Sequence, residues 1–222
     1  MTDIKDNIKR IISFLPPDVK LIGVSKTRNI HEMEEVYASG IRDFGENKVQ
    51  ELVSKYDDFH KDVRWHLIGH LQRNKVKYIV GKVALIHSLD SLELLEEIEK
   101  KYAENNLIAE CLIQINIGEE ASKTGISFKE LETLIPAIEK CNNVKIKGLM
   151  AIIPIGQEQQ CRYYFKKMKS IWDEQKLLDY KNISMEYLSM GMTGDYQIAI
   201  EEGSNMVRVG EGIFGKRLYI NK

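Results

Sequence analysis

Several features that define special classes of protein are scarce in this sequence of 222 residues. The three cysteines, Cys111, Cys141 and Cys161, are odd in number and form no C-x-x-C pair. This excludes a disulfide scaffold and is typical of free thiols in a reducing cytosol. No apolar run approaches the length of a membrane span, and the first residues contain no hydrophobic region of a signal peptide. We therefore expect a cytoplasmic protein without a membrane partner.

The sequence also has no excess of charge of one sign, since it contains 32 Lys and Arg residues and 33 Asp and Glu residues. Proteins that bind nucleic acid usually carry a basic excess or a basic stripe. Two short basic runs, residues 73–77 and 166–169, lie at helical spacing among apolar residues. Solvated helix faces explain them best, with phosphate or nucleic-acid contacts as the alternative. We therefore expect no nucleic-acid partner.

The sequence does contain a regular alternation of short apolar segments with longer amphipathic ones. The eight predicted strands are residues 19–25, 41–44, 64–68, 83–87, 110–117, 144–153, 184–190 and 205–209. The predicted helices between them are residues 30–39, 46–57, 72–80, 91–104, 127–141, 157–178 and 195–202. A further helix over residues 3–14 precedes the first strand and is ended by Pro16-Pro17.

This alternation requires parallel strands joined by helical crossovers, as in an open doubly wound sheet or in a closed barrel. No G-x-G-x-x-G follows the first strand, where residues 23–27 read GVSKT. Eight uninterrupted repeats favour the barrel. We predict an α/β protein with one domain over residues 1–222, a single (β/α)8 TIM barrel with an extra N-terminal helix.

In a barrel, the carboxyl ends of the strands carry the chemistry, and the first strand ends near Lys26. Strand alternation places Ile22, Val24 and Lys26 on the inner face. Partial burial lowers the pKa of a lysine, and a neutral amine can attack an aldehyde to form a Schiff base. The alternative is a surface lysine that snorkels or forms an ion pair.

Glycine-rich segments follow the seventh and eighth strands, at residues 189–195 and 208–212. Glycines allow backbone N–H groups to approach an anion, and Ser189 and Thr193 add hydroxyl donors. Barrels often bind phosphate with these two loops, so a phosphate site is predicted. Ordinary glycine turns, with Thr193 as a helix cap, are the alternative.

Arg208 shares the inner face of the eighth strand with Met206. Because burial of an unpaired charge is expensive, its guanidinium must contact a ligand or form a structural ion pair. His66 and His70 lie four residues apart, but no Cys or carboxylate completes a set of ligands. We therefore predict no metal site.

Seven segments together resemble, in order and spacing, the strand-end motifs of the pyridoxal phosphate homeostasis proteins. They are VSKT at 24–27, FGENKVQE at 44–51, WHLIGHLQRNK at 65–75, NIGEEASKTG at 116–125, GLM at 148–150, SMGMT at 189–193 and VRVG at 207–210, followed by IFG at 213–215. The resemblance extends from about residue 20 to residue 219.

This resemblance implies a single-domain barrel similar to the N-terminal domain of alanine racemase, with pyridoxal 5′-phosphate as cofactor. Lys26 matches the lysine that forms the Schiff base, and Arg208 matches the arginine that faces the pyridine nitrogen. The phosphate cradle is matched by Ser189, Thr193 and Gly210. The remaining matches to pocket residues, with less defined roles, are Asn47, His66 and Met150.

The resemblance further implies a protein that buffers the cofactor or delivers it to apo-enzymes, with no catalytic residue. Nothing in the sequence demands an obligate dimer, so we expect a monomer. An arginine cannot protonate the ring nitrogen, so the bound ring is a poor electron sink. An amino-acid racemase or lyase would need a second acid–base group, and no tyrosine is an obvious candidate. The alternatives are such an enzyme and a phosphate-binding barrel that forms no Schiff base.

Two positions depart from the family pattern. Glu211 stands where the family usually carries Thr or Ser, so its carboxylate is expected to point away from a phosphate or to weaken its binding. Arg28-Asn29 stands where many relatives have lysine and proline, which changes the stiffness of the loop after Lys26.

Overall fold

Eight parallel strands close into a barrel, in chain order from β1 to β8. The computed structural model describes residues 3–120 and 123–216. The strands are β1 Lys20–Val24, β2 Asp43–Glu46, β3 Arg64–Leu67, β4 Leu85–Leu89, β5 Ala109–Ile115, β6 Val144–Ala151, β7 Ile183–Ser189 and β8 Met206–Val209. The pairing of β1 with β8, in which Gly23 lies opposite Val209, closes the sheet. The predicted TIM barrel is confirmed.

Helices surround the barrel. They are α1 Ile4–Phe14, α2 Ile30–Ala38, α3 Val49–Tyr56, α4 Leu92–Ala103, α5 Phe128–Ile138, α6 Glu158–Lys176, α7 Tyr196–Glu201 and α8 Glu211–Phe214. Between β3 and β4 the predicted helix is a 3-10 helix over Arg73–Tyr78. Val76 is buried inside this helix, and the C-cap residue Ile79 is buried three positions later, which matches the three-residue turn of a 3-10 helix.

The extra N-terminal helix is confirmed as α1. Asp3 caps it by accepting a hydrogen bond from the backbone N–H of Lys5. Its buried face includes Ile8, and the buried Asn7 side chain donates to the carbonyl oxygen of Ile213 over 3.0 Å. This contact joins α1 to α8, a single turn that is too short to produce a periodic pattern in the sequence.

Two strands begin two residues later than predicted. β2 begins at Asp43 and β4 begins at Leu85, each two residues after the start of the predicted strand. Ile41 is buried among the residues between sheet and helices, so it contributes apolar surface without belonging to the strand. A buried residue just before a strand and a buried residue within the strand produce the same apolar signal in the sequence. Only the hydrogen-bond ladder of the sheet distinguishes the two.

The inner face of the barrel carries both apolar and polar side chains. The apolar set consists of Ile22, Leu85, Leu112, Met150 and Met206, with Tyr187 packed against it. Polar side chains on the inner face are also buried, namely Asp43, His66, His87, Ser189 and Arg208. TIM barrels usually fill this space with branched aliphatic residues, so the polar set requires an explanation.

The three cysteines are free, as predicted, and all three are buried. In the described ranges no helix has the length and apolar character needed to cross a bilayer. The basic run on α6 forms ion pairs, Lys169 with Asp173 and Lys166 with Glu202, as expected of a solvated helix face.

Candidate functional site

A cavity of about 600 Å³ opens at the carboxyl ends of the strands. Its volume is within the usual range for small-molecule sites. It is lined by Val24, Lys26, Arg28, Asn47, Ile68, Ile152, Met192, Thr193, Gly194, Arg208, Gly210, Glu211 and Lys216. These residues come from segments far apart in the chain, and the closure of the barrel brings them together.

Five of the eight residues predicted for the site line this cavity: Lys26, Asn47, Thr193, Arg208 and Gly210. The other three, His66, Met150 and Ser189, are buried in the barrel interior and are not part of the cavity wall. Their strand positions place them deeper in the barrel, and their roles at the site remain predictions.

Lys26 lies two residues after the end of β1 and is half-buried in the cavity wall. Both of its neighbours are held by acidic side chains. The Ser25 hydroxyl donates to Glu46 Oε1 over 2.7 Å, and the backbone N–H of Thr27 donates to Glu51 Oε1. Thr27 has a φ of 65°, in the left-handed region that a β-branched residue rarely adopts. The loop that presents Lys26 is thus held in one conformation.

Lys55 on α3 joins these two acidic residues. Its amine donates to Glu46 Oε1 at 2.8 Å, to Glu51 Oε1 at 2.7 Å and to the carbonyl oxygen of Ser25 at 2.9 Å. We call Glu46, Glu51 and Lys55 the Lys26 clamp. Burial raises the pKa of Glu46, and the hydrogen bonds from Lys55 and Ser25 oppose that rise.

The sequence interpretation missed the clamp. The periodicity predicts a helix that begins at residue 46, whereas Glu46 is the last residue of β2 and is fully buried. Its second oxygen, Oε2, has no hydrogen-bond partner among the described residues. The only local sign of a role for Glu46 is its position as an acidic residue at the end of an apolar segment. That position does not show which side chain pairs with it.

Arg208 is buried at the base of the cavity wall, where it contacts neutral oxygens. Its guanidinium donates to Ser189 Oγ at 2.6 Å and to the carbonyl oxygen of Ala151 at 3.0 Å. Burial lowers the pKa of Arg208 to about 10, and the charge of Asp195 opposes that shift. Within the described residues no carboxylate forms an ion pair with Arg208, so the structural ion pair considered above is not found.

The two glycine-rich loops meet beside Arg208. The backbone N–H of Gly212 donates to Thr193 Oγ1 over 3.0 Å, which joins the loop after β7 to the loop after β8. Asp195, and not Thr193, occupies the N-cap position of α7. A Cβ atom added to Gly194 would meet no atom within 4 Å. The backbone is therefore open at Gly194, and Met192, Thr193 and Glu211 are the neighbouring wall residues that carry side chains.

The two departures from the family pattern both lie in the cavity wall. Glu211 is exposed there, at the start of α8. Arg28 donates to the carbonyl oxygen of Gly215 over 2.6 Å and lies over the ring of Phe214. Arg28 therefore ties the loop after Lys26 to the end of α8.

A continuous set of hydrogen bonds extends below Arg208 through the barrel interior. Ser189 Oγ lies 3.2 Å from His87 Nδ1, and His87 Nε2 lies 2.9 Å from His66 Nδ1. His66 Nε2 lies 2.9 Å from Asp43 Oδ1. His87 was not predicted to have a role, since a single histidine in an apolar strand carries no local signal. No group of three possible metal ligands is found in the described ranges.

Comparison with known proteins defines first a class and then a family. The sequence model of the alanine racemase N-terminal domain matches residues 1–217. A pyridoxal phosphate homeostasis protein of Aquifex aeolicus is 43% identical over 202 residues, covering 90% of this chain and 88% of the relative. One of Synechocystis is 37% identical over 211 residues, covering 94% of this chain and 96% of the relative.

Solved structures support the same family assignment. PipY of Synechococcus elongatus, determined with PLP bound, has a TM-score of 0.88 at 32% identity, covering 96% of this chain and all of PipY. An alanine racemase of Clostridium difficile has a TM-score of 0.80 at 13% identity, covering 99% of this chain and 58% of that chain, and shares the fold alone. The molecule is a barrel of the alanine racemase N-terminal domain class. This chain belongs to the pyridoxal phosphate homeostasis protein family, as its motifs predicted.

Proposed function

We propose that this chain binds pyridoxal 5′-phosphate in the cavity at the carboxyl ends of its strands and takes part in the homeostasis of that cofactor, by buffering or delivering it. One observation carries the proposal: the amine of Lys26 and the buried guanidinium of Arg208 line the same cavity. The names of the relatives and the PLP bound to PipY support it.

The residues of the cavity fit the three functional groups of this cofactor. Lys26 offers an amine for the aldehyde, and Arg208 offers a buried donor for the ring nitrogen. The loops joined by Thr193 and Gly212 offer backbone surface for the phosphate. Gly194 keeps this surface free of a side chain. Asn47 adds a polar side chain to the wall near Lys26.

We infer that Lys26 holds the cofactor as a Schiff base. The neutral amine attacks the aldehyde carbon, a C=N bond replaces the C=O bond, and one water molecule leaves. No electron donor or acceptor is needed, and addition of water reverses the reaction. A reversible bond suits a protein that has to release its cofactor to a recipient apo-enzyme.

The cavity favours a carrier over an enzyme. Arg208 keeps its protons near neutral pH, so it does not protonate the ring nitrogen, and the bound ring withdraws electrons weakly. Besides Lys26, the acid–base groups among the described residues of the wall are Glu211 and Lys216, and the wall includes no tyrosine, histidine or cysteine. We therefore propose a non-catalytic role.

Borohydride reduction followed by peptide mapping tests the proposal. We expect a pyridoxyl-phosphate adduct on Lys26 in the wild type and none at that position in Lys26→Ala. Lys216→Ala removes the other lysine of the cavity wall and is the matched control, which should keep the adduct. An unlabelled wild type after incubation with excess pyridoxal phosphate would overturn the proposal.

Two further assays separate carrier from enzyme. Incubation of the loaded protein with an apo-enzyme should restore the activity of that enzyme while the carrier loses its cofactor. Exchange of the α-hydrogen of small amino acids in D2O should stay at the level of Lys26→Ala. Exchange that depends on Lys26 would instead favour a racemase or lyase.

We also propose that the protein acts as a monomer in the cytoplasm. One chain supplies the whole described cavity wall, and the three buried free thiols suit a reducing compartment. Light scattering after size-exclusion chromatography should give a mass near the 25.6 kDa of one chain, and twice that mass would contradict the proposal.

A further inference from the structure

We infer that Asp43, His66, His87 and Ser189 form a positioning relay that holds the guanidinium of Arg208 in one orientation at the base of the cavity. All four side chains are buried, and none of them is part of the described cavity wall. The inference deepens the proposed function, on which it rests for the identity of the ligand, but the relay itself can be tested without one.

The contacts form one unbranched line across the barrel. Arg208 at the carboxyl end of β8 contacts Ser189 at the carboxyl end of β7. From there the line passes to His87 on β4 and His66 on β3 and ends at Asp43, the first residue of β2. Arg64 donates to Asp43 from outside at 2.8 Å. A cation at the cavity is thus connected to a carboxylate near the opposite end of the barrel.

With both imidazoles neutral, the chemistry of the two ends determines the direction of every hydrogen bond. The Asp43 carboxylate only accepts, so His66 must carry its proton on Nε2. A neutral His66 then accepts at Nδ1 from His87 Nε2–H, and His87 accepts at Nδ1 from the Ser189 hydroxyl. Ser189 in turn accepts from Arg208, which only donates. Each polar atom of the line has a partner of the correct kind.

Both imidazoles are neutral in this arrangement. Burial lowers the pKa of His66. The hydrogen bond and the charge of Asp43 oppose this shift, and the charges of Lys20 and Arg64 add to it. Burial also holds the pKa of His87 well below its usual value, reinforced by His66 and Arg208. Burial would raise the pKa of Asp43, but the hydrogen bonds from His66 and Arg64 outweigh it and keep that pKa well below its usual range.

These contacts fix the orientation of the planar guanidinium group of Arg208. Two acceptors on neighbouring strands, Ser189 Oγ and the carbonyl oxygen of Ala151, hold its two terminal nitrogens. Because the Ser189 hydrogen is directed to His87, the Ser189 lone pairs remain available to Arg208. The remaining N–H groups of the guanidinium then keep a constant direction towards the cavity, which preorganises them for a neutral acceptor such as a ring nitrogen.

Nitrogen-15 NMR of the imidazoles, recorded on the wild type without added ligand, tests the relay directly. We expect His66 and His87 to be neutral Nε2–H tautomers from pH 6 to pH 8. A proton on Nδ1 of either ring, or an imidazolium at neutral pH, would overturn the inference. This measurement is independent of the proposed function.

Ligand affinity tests the positioning of Arg208. His87→Leu removes the acceptor of Ser189, and we expect about tenfold weaker binding of pyridoxal phosphate, comparable to the loss of one buried hydrogen bond. Affinity for inorganic phosphate should be unchanged, because that probe lacks the ring. His87→Gln offers an amide oxygen to Ser189 and should restore most of the affinity, and His31→Leu at the exposed surface is the matched control.

Thermal unfolding of His87→Leu establishes whether that variant is folded. Equal affinities of the wild type, His87→Leu and His87→Gln for pyridoxal phosphate would overturn the positioning role. An equal loss for both probes would also overturn it, because general disruption of the site would then explain the data. A wild type that binds no pyridoxal phosphate would refute the proposed function, whereas the NMR result would still decide the relay.

Discussion

Replacement of Lys55 by methionine removes the only cation of the Lys26 clamp while keeping much of the volume of the side chain. The amine of Lys55 donates three hydrogen bonds, to Ser25, Glu46 and Glu51. In the variant the fully buried Glu46 keeps a single hydrogen bond, from the Ser25 hydroxyl. Breaking a buried ion pair by removal of one partner costs about 3–5 kcal/mol, because it leaves a buried charge without compensation. We expect Lys55→Met to lose that much free energy of unfolding at pH 7.5.

The pH dependence gives the loss a distinctive signature. The pKa of Glu46 is already raised by burial, and Lys55→Met removes the interaction that opposes the rise. A carboxyl group whose folded pKa exceeds its unfolded pKa binds protons more tightly in the folded state, so stability falls as pH increases through that interval. The loss should therefore be smaller at pH 5 than at pH 7.5, by at most about 1.4 kcal/mol for each pH unit.

Urea unfolding of the wild type, Lys55→Met and the double variant Lys55→Met/Glu46→Gln measures these differences. The double variant should regain part of the stability, because it has no buried charge. Lys61→Met, a substitution at an exposed lysine, is the matched control and should change stability by less than about 0.5 kcal/mol. A loss below about 1 kcal/mol for Lys55→Met at pH 7.5, or one that does not depend on pH, would refute the clamp.

The other predictions concern backbone, histidines and thiols. Gly148→Ala should lose about 3 kcal/mol or more in urea unfolding, because the new Cβ would lie 1.8 Å from the carbonyl oxygen of Tyr187. Gly194→Ala, which meets no atom, should unfold like the wild type. The lowered pKa values of His66 and His87 mean that the unfolded state binds more protons below about pH 6.5, so stability should rise from pH 5 to pH 7.5, and this rise should shrink in His87→Gln. A thiol reagent should label the three buried cysteines only after unfolding, and rapid labelling of the folded protein would contradict their burial.

The periodicity of the sequence was sufficient for the architecture. All eight predicted strands exist, since each is a short apolar segment bounded by polar turns and a period of two needs no long-range information. The same alternation placed Lys26 above Ile22 and Val24 on the inner face, and the structure brings it into the cavity wall. The position of Arg208 beside Met206 was predicted by the same reasoning. These are local properties, determined by which face of a strand a side chain occupies.

The tertiary structure alone decided which side chains meet. Glu46 and Lys55 have ordinary sequence neighbours, and their pairing depends on how α3 packs against the end of β2. His66 and His87 are 21 residues apart, and His87 and Ser189 are 102 residues apart, yet barrel closure places their polar atoms within hydrogen-bond distance. Periodicity predicts the face on which a residue lies, but its depth and its partners depend on strand register. That register follows from closure of the whole sheet, and it separates the residues that line the cavity from those that support them below it.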